Sequence, residues 1–274
     1  MSRRPAGPPP PPEPLPRPAV DSHCHLDAMG AQRAPAVAEV VRAARAVGIT
    51  RLLTAGDTVE SSRWCAAAAA GHPDVFATVA VHPNEIGGIG EADYAEIERL
   101  AHEPDVRGVG ETGLDYYRDR ADPAAQRDAF RRHIDIAKRV GTALVIHDRD
   151  AHEDVLRILA EEGAPEHTVL HCFSGDAAMA TRCVRAGYVL SFAGPVTFAN
   201  APALRDAVAL VPPGQLLVET DAPFLTPAPY RGRPNAPYLL PLTLRAIAEL
   251  TGRSLPELCD AVSATFERVF ALTR

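Results

Sequence analysis

Lysine, paired cysteines and long apolar runs are all scarce in this chain of 274 residues. Lys138 is the only lysine, and the five cysteines include no CxxC pair. This cysteine usage is typical of a reducing compartment and predicts a cytoplasmic protein. No segment approaches the roughly 18 consecutive apolar residues of a transmembrane helix, so we expect no membrane association. A basic surplus is also lacking: the formal net charge is −7, so any polyanion must be bound by local groups.

The first 18 residues lack the apolar stretch that a secretory signal needs. They contain nine prolines, a composition typical of an extended, polyproline-like segment. We therefore predict a disordered, proline-rich leader over residues 1–18 and a folded domain over residues 19–274. Stability and activity of the domain should not depend on this leader. The alternative is a leader that binds a proline-recognising domain.

From Ala19 onward, short apolar runs alternate with alanine-rich amphipathic stretches, several of which end in glycine. This alternation is typical of repeated strand–helix units. Eight runs are predicted as strands: 19–23, 51–55, 75–81, 106–111, 143–147, 168–172, 188–192 and 216–220. Eight units predict an α/β fold, a single-domain TIM-type (β/α)8 barrel that is regular or somewhat distorted. A doubly wound open sheet is the alternative.

Histidines and carboxylates cluster at the ends of the predicted strands. His23 and His25 stand one residue apart, so on a strand both rings point to the same side. In a barrel, seven such side chains would meet at the mouth: His23, His25, His82, Glu111, His147, His171 and Asp221. So many polar groups need partners that a dry core does not supply. The other five histidines fall in helices or connections and are expected on the surface: His72, His102, His133, His152 and His167.

The converging side chains predict two cation sites. His23, His25 and Asp221 can hold one divalent metal ion, and His147 and His171 can hold the other. Glu111 can bridge them with one oxygen to each. Two metals about 3.5–4 Å apart can bind a nucleophilic hydroxide and stabilise the attacking and leaving oxygens, which predicts hydrolysis. Mixed imidazole and carboxylate ligands suit zinc, manganese or iron better than magnesium, but ligand type leaves the identity open among zinc, manganese and magnesium.

Six segments together resemble the TatD family of metal-dependent deoxyribonucleases, within the amidohydrolase-like superfamily: VDSHCHLD (20–27), GETGLDYY (110–117), IHDRDA (146–151), LHCFSG (170–175), ETDAPFLTP (219–227) and YRGRPNAP (230–237). The resemblance covers the chain apart from the leader. It implies a divalent-metal TIM barrel in the cytoplasm that cleaves DNA phosphodiesters, often as an exonuclease from the 3′ end, with DNA single strands or 3′ ends as the partner and no obligate protein partner. The family's metal ligands match His23, His25, Glu111, His147, His171 and Asp221.

Beside the bridging Glu111, two residues are candidates for catalysis. His82 matches a family histidine at the pocket that contacts a phosphate or protonates the leaving oxygen, although as a neutral donor it could equally order its loop. Asp221 could also take the proton from the attacking water, since it follows the eighth strand beside the predicted metals.

Substrate binding has further candidates at the predicted mouth. Ser174 and Gly175 could offer a hydroxyl and a backbone amide, or simply form a turn. Arg231 aligns with the family's loop arginine and is expected to anchor a phosphate next to the scissile one; a solvated loop is the alternative. Tyr116 and Tyr117 could stack on a base or cover the core.

Other functions of the same barrel are kept as alternatives. A deacylase of D-aminoacyl-tRNA would need the same metal hydroxide, and some relatives of the family have been proposed to be such enzymes. Amide, lactone and phosphotriester hydrolases often use a carbamylated lysine after the fourth strand, where this chain has Glu111. A binding module with structural zinc is disfavoured, because such sites are usually closed and rich in cysteine.

Overall fold

The computed structural model describes residues 7–29, 34–118 and 120–271, with the side chains of residues 34 and 35 left out. Eight parallel strands occupy this part of the chain: β1 (Ala19–Cys24), β2 (Ile49–Ala55), β3 (Val75–Val79), β4 (Val106–Asp115), β5 (Ala143–Arg149), β6 (Thr168–Leu170), β7 (Val189–Phe192) and β8 (Leu216–Val218). Each strand pairs with the next one in sequence, in the order β1 to β8.

The first and last strands close the sheet into a barrel. The Asp221 amide donates to the His23 carbonyl at 3.0 Å, and the His25 amide donates to the Ala222 carbonyl at 2.7 Å. The Ser22 hydroxyl adds a bond of 3.1 Å to the Val218 carbonyl. The predicted TIM-type barrel is therefore confirmed, and the open doubly wound sheet is excluded.

Helices alternate with the strands on the outside of the barrel: α1 (Ala34–Ala46), α2 (Val59–Gly71), α3 (Glu91–Ala101), α4 (Pro123–Val140), α5 (His152–Glu162), α6 (Ala177–Arg185), α7 (Pro202–Leu210), α8 (Leu240–Thr251) and α9 (Leu255–Val269). Local sequence sets their ends. In α4, the Asp122 carboxylate accepts from the Ala125 amide, Pro123 occupies the first turn, and Gly141 ends the helix at a φ of 73°. None of the described helices is long and apolar enough to cross a membrane.

Several strands end earlier or later than the apolar runs predict. β4 continues to Asp115, whereas β6 and β8 stop at Leu170 and Val218. The early stop of β6 has a backbone reason, because Cys172, inside the predicted run, takes the left-handed conformation with a φ of 41°; after β8, Asp221 takes the same conformation with a φ of 54°. Residues in this region cannot continue a strand, and such strain is typical of functional sites. The polar residues after β6 and β8 therefore sit on turns above the barrel.

The leader differs from the sequence-based expectation. Residues 1–6 lie outside the described part, but residues 7–18 lie against the barrel rather than forming a disordered tail. Leu15 is buried, and its amide donates to the Val47 carbonyl. Arg233 donates to the carbonyls of Gly7 and Pro8, and Tyr238 donates to that of Pro9. A proline-rich segment cannot donate many hydrogen bonds, but its free carbonyls accept them from side chains far along the chain.

Candidate metal centre

Glu111, near the middle of β4, lies at the centre of the cluster, and its two carboxylate oxygens face different histidines. Oε1 is 2.6 Å from His147 Nδ1 and 2.7 Å from His171 Nε2. Oε2 is 3.4 Å from His23 Nε2 and 3.5 Å from His25 Nε2. This division of the oxygens is the arrangement that a bridging carboxylate requires, with one pair of imidazoles on each side.

The half of the cluster formed by β1 and the turn after β8 has the geometry of a chelate. His23 Nε2 and His25 Nε2 are 3.3 Å apart, and Asp221 Oδ1 lies 3.4 Å from His25 Nε2. The two ring nitrogens can share one proton as an N–H···N hydrogen bond, or both can direct a lone pair at the same cation. In the second case, the Asp221 carboxylate is placed to bind that cation as well. The donor atoms of His23, His25 and Asp221 all lie within 4.8 Å of one another, and those of His23, Glu111 and His171 do as well.

Two outer carboxylates hold the other pair of histidines. Glu219 Oε1 lies 3.1 Å from His171 Nδ1 and accepts the Cys172 amide at 2.8 Å. Asp115 Oδ2 lies 3.2 Å from His147 Nε2. In metal sites, an outer carboxylate typically takes the N–H of the ligating histidine and leaves the inner nitrogen for the metal. Glu219 and Asp115 therefore orient His171 and His147 toward Glu111.

Sequence reasoning missed both of these carboxylates, although they lie inside the motifs GETGLDYY and ETDAPFLTP. Asp115 follows Glu111 by four residues on the same strand, and Glu219 precedes Asp221 by two. For Asp115 the available signal was the even spacing that places residues of one strand on the same face, whereas Glu219 lies after β8 and had only its place in the motif. This spacing does not indicate which carboxylate binds a cation and which accepts the N–H of a histidine ring from the side away from Glu111.

The charges of the cluster favour a cation at its centre. Burial alone would raise the pKa of Glu111, but His171, His147 and His23 outweigh it and hold that pKa well below its ordinary value. Burial would lower the pKa of His25, yet Asp57, Asp221 and Glu111 together raise it to about 10. The carboxylates thus attract positive charge strongly enough to protonate a buried imidazole, and the same field favours divalent cations.

His82 differs from the other histidines of the cluster. Its Nε2 lies 3.6 Å from Glu111 Oε1, but its Nδ1 accepts the Asn84 amide at 3.0 Å. Burial lowers the pKa of His82 to about 3, so the ring is neutral and its one proton is on Nε2. A nitrogen that carries the proton cannot bind a metal. In this tautomer His82 presents a hydrogen-bond donor to the cavity, and its ring also lies close enough to Glu111 and His147 to belong to a group that could hold a metal ion.

Close packing of β4 against β5 brings the bridge to the histidines. Gly113 has a φ of 138°, and a side chain there would overlap the His147 carbonyl. A Cβ on Gly110 would come within 2.5 Å of the Val145 Cβ. Glycine at these two positions lets the strands approach closely enough for Glu111 and His147 to meet.

The cluster opens into a cavity of about 560 Å³ at the carboxyl end of the barrel. Three arginines line it, Arg118, Arg120 and Arg149, none of which the sequence analysis singled out. Ser174 also lines the cavity, and its hydroxyl donates to the Asp148 carbonyl. The missed arginines follow β4 and end β5, next to the motif residues Asp115 and His147.

Two predicted substrate-binding residues do not line this cavity. Gly175 packs against Phe173 and Met179, where a side chain would not fit. Arg231 is exposed, and its guanidinium lies over the ring of Phe198 at 4.4 Å from the centroid. The loop after Asp221 thus directs Arg231 to the rim and Arg233 to the leader.

One histidine expected on the surface is buried. His133 of α4 is fully inaccessible; its Nε2 accepts the Val81 amide at 3.2 Å, and its Nδ1 lies 2.8 Å from the Ala129 carbonyl. The surface prediction for His133 was wrong. The signal was present in the sequence, because His133 lies three residues after Phe130 and one before Ile134, on the apolar side of the helix.

An eight-stranded barrel with histidines and carboxylates converging at its carboxyl end defines a metal-dependent hydrolase. The model of the family described as TatD related DNase matches residues 20–271, and the chain belongs to this family. The expected family, fold and enzyme class are confirmed. The number of ions and the roles of single residues stay predictions.

Named relatives agree with this assignment. An uncharacterized metal-dependent hydrolase TatD of Mycobacterium tuberculosis is 50% identical over 258 residues, which cover 92% of this chain and 98% of the relative. A 3′-5′ ssDNA/RNA exonuclease TatD of Erwinia tasmaniensis is 32% identical over 242 residues, covering 85% and 93%. The crystal structure of a TatD homologue from Escherichia coli superposes with a TM-score of 0.87 at 25% identity, covering 93% of this chain and 98% of that one.

Proposed function

We propose that the protein hydrolyses phosphodiester bonds of single-stranded DNA, as an exonuclease acting from the 3′ end, with two divalent metal ions. The carboxylate of Glu111, with a different pair of imidazoles facing each oxygen, is the observation that carries this proposal. His23, His25 and Asp221 would hold one ion and His147 and His171 the other, with Glu111 shared between them. The donor set suits zinc, manganese or magnesium, in decreasing order of preference for imidazole.

The ions supply activation of the attacking water and neutralisation of the charge that builds up on the phosphate oxygens. Protein side chains do the rest. His82 donates a hydrogen bond from its Nε2–H group to a phosphate oxygen, since its Nδ1 accepts the Asn84 amide. Asp221, at the edge of the cavity, accepts the proton that the water loses.

Arginines explain how a protein with a net charge of −7 can bind a polyanion. Arg118, Arg120 and Arg149 place three guanidinium groups among the carboxylates that line the cavity, where bound divalent cations would offset part of the negative charge. Guanidinium groups form paired hydrogen bonds to phosphate oxygens. Binding should therefore be local and sensitive to salt.

The name of the Erwinia relative, a 3′-5′ exonuclease of ssDNA and RNA, supports the polarity and the single-stranded substrate. A cytoplasmic location belongs to the same proposal and is favoured by five free cysteines. The proposal includes no protein partner.

Glu111→Gln tests the proposal, because it keeps the shape of the side chain and removes the charge that offsets two dications. Metal content per chain should fall, and kcat/KM on a single-stranded oligonucleotide should drop at least about 100-fold. Glu85→Gln is the control: Glu85 lines the same cavity but lies 3.6 Å from Arg120 rather than among the imidazoles, so it should keep its metal. Normal hydrolysis by Glu111→Gln with both ions bound would refute the bridge. Release of D-tyrosine from D-Tyr-tRNA without cleavage of DNA would refute the nuclease.

A further inference from the structure

Two aromatic rings stand exposed at the mouth of the barrel. The described residues include four exposed large apolar side chains, and two of them are aromatic: Tyr117 at 63% exposure and Phe224 at 52%. Phe224 lines the cavity above the metal centre. Tyr117 adjoins it through Arg149, whose guanidinium lies 4.5 Å from the centre of the tyrosine ring and which itself lines the cavity. Single exposed apolar side chains are common on protein surfaces, so the informative observation is that both rings stand beside the cleft that holds the metal centre.

The rings lie on opposite sides of the metal centre. Tyr117 follows β4 by two residues, and Phe224 comes shortly after β8. In a closed barrel with strands in the order β1 to β8, β4 and β8 are four places apart and therefore face each other across the mouth. Glu111 and its histidines lie between them, so a strand that crosses the metal centre meets both rings.

Each of the two rings contacts the protein on one side and is exposed to solvent on another. Phe224 meets the ring of His25 at an interplanar angle of 67°, with centroids 5.8 Å apart. Tyr117 is fixed by its amide, which donates to Asp115 at 3.0 Å, and by the guanidinium of Arg149 over the ring. The exposed fraction of each ring leaves surface open to a flat ligand.

The neighbouring tyrosine has a different role. Tyr116 is half-buried, and its hydroxyl donates to Asp154 at 2.7 Å and accepts from Arg127 at 3.0 Å. Its ring packs against the hydrophobic core. Of the two adjacent tyrosines, only Tyr117 is therefore available to a ligand.

We propose that Tyr117 and Phe224 are two base-stacking platforms that bind the bases on either side of the scissile phosphate of a single strand. This inference rests on the proposed function. Aromatic side chains bind unpaired bases of any sequence by stacking, since every base has a flat face. In a duplex, those faces are covered by neighbouring bases. The platforms thus make the enzyme select unpaired strands and frayed ends, while the arginines bind the phosphates.

Leucine substitutions test the platforms, because leucine keeps apolar bulk and removes the flat ring. Tyr117→Leu and Phe224→Leu should each lower kcat/KM on a single-stranded oligonucleotide about 10-fold. Tyr117→Phe retains the ring and should keep most of the activity. Leu210→Ala, at another exposed apolar side chain on α7, should behave as the wild type.

The decisive substrates are two oligonucleotides, each with a single abasic nucleotide. In one it lies on the 5′ side of the cleaved bond, and in the other it lies on the 3′ side. At the position that stacks on Tyr117, an abasic nucleotide should cost the wild type about the same 10-fold and cost Tyr117→Leu almost nothing. The same pairing is expected for Phe224 at another position. The proposal would be overturned if the losses of kcat/KM caused by the leucine variant and by the abasic nucleotide multiplied at every position. It would also be overturned if the leucine variants had the kcat/KM of the wild type.

A binding measurement keeps this result separate from catalysis. An oligonucleotide with 2-aminopurine near its 3′ end, added to Glu111→Gln, should lose fluorescence on binding when its base stacks. Adding Tyr117→Leu or Phe224→Leu should restore the fluorescence at one position of the probe. If the wild type neither binds nor cleaves DNA, the proposed function fails and the platforms fail with it. If it cleaves DNA and the fluorescence is unchanged by both leucine variants, only the platforms fail.

Discussion

Replacing Leu15 by alanine removes the apolar anchor of the leader on the barrel. Leu15 is 9% exposed and packs against Gly48, where an added Cβ would come within 3.1 Å of the Leu15 Cβ. Buried leucine-to-alanine changes cost about 2–5 kcal/mol, and a site on a surface segment that can settle belongs at the lower end. We expect a loss of about 2 kcal/mol, which for a domain of this size lowers Tm by about 4 °C.

Calorimetry of the full chain can measure this shift, with Leu210→Ala as the matched control. Leu210 is 51% exposed, so its truncation should change Tm by less than about 1 °C. Deleting residues 1–13 instead leaves Leu15 in place and removes the carbonyls that bind Arg233 and Tyr238, so a smaller loss of about 1 kcal/mol is expected. Equal melting temperatures for Leu15→Ala, the truncation and the wild type would refute the docked leader.

Two further predictions concern buried groups, one beside the metal centre and one on α4. Glu219→Gln still accepts the Cys172 amide but removes the negative charge next to His171, so metal affinity should fall about 10- to 100-fold in a chelator competition. The control, Glu249→Gln at an exposed position, should leave the metal affinity unchanged. An unchanged affinity in Glu219→Gln would show that Glu219 does not support the metal centre. Burial lowers the pKa of His133 from 6.5 to about 4, so the unfolded chain binds the extra proton between these values. The stability from this group is complete above pH 6.5 and is lost as the pH falls toward 4, by about 2–3 kcal/mol. The free energy of unfolding should therefore fall less from pH 7 to pH 4.5 in His133→Gln than in the wild type, and equal slopes would contradict this account.

The barrel could be predicted because its signals are local. Apolar runs and glycine-ended helices mark each strand–helix unit, and carboxyl ends of parallel strands must share one end of a barrel. This rule alone placed His23, Glu111 and His171 together before any distance was known. It worked because strand order in a barrel follows chain order, so few topologies compete.

The supporting residues could not be predicted in the same way. Whether Asp115 binds a cation or the back of the His147 ring depends on distances of a few tenths of an ångström between strands. Arg231 shows a similar limit. The sequence predicts that its loop lies at the barrel mouth, but it does not predict whether the arginine side chain points into the cavity. His82 needed the Asn84 amide to fix its tautomer, which no sequence pattern specifies.

The leader was misjudged for another reason. Its lack of apolar periodicity correctly excludes a helix or strand, but disorder does not follow from that. Apart from the bond between the Leu15 amide and the Val47 carbonyl, the side-chain hydrogen bonds that hold it come from residues more than 220 positions away, such as Arg233, Tyr238 and Arg245. The composition of a segment indicates which secondary structure it can form, but it does not indicate which distant residues will contact it.

The partners of the leader impose an order on folding during synthesis. Gly7, Pro9, Pro14, Arg17 and Pro18 contact side chains of residues 233–263, at sequence separations of 226 to 245 residues. At about 5–20 residues per second, a ribosome needs on the order of tens of seconds to make that interval. The first segment to emerge is thus among the last to find its place, together with β1, which must wait for β8 to close the ring. Nascent chains that stop before β8 would expose both the leader and an open strand edge, which is where chaperones and proteases would be expected to act.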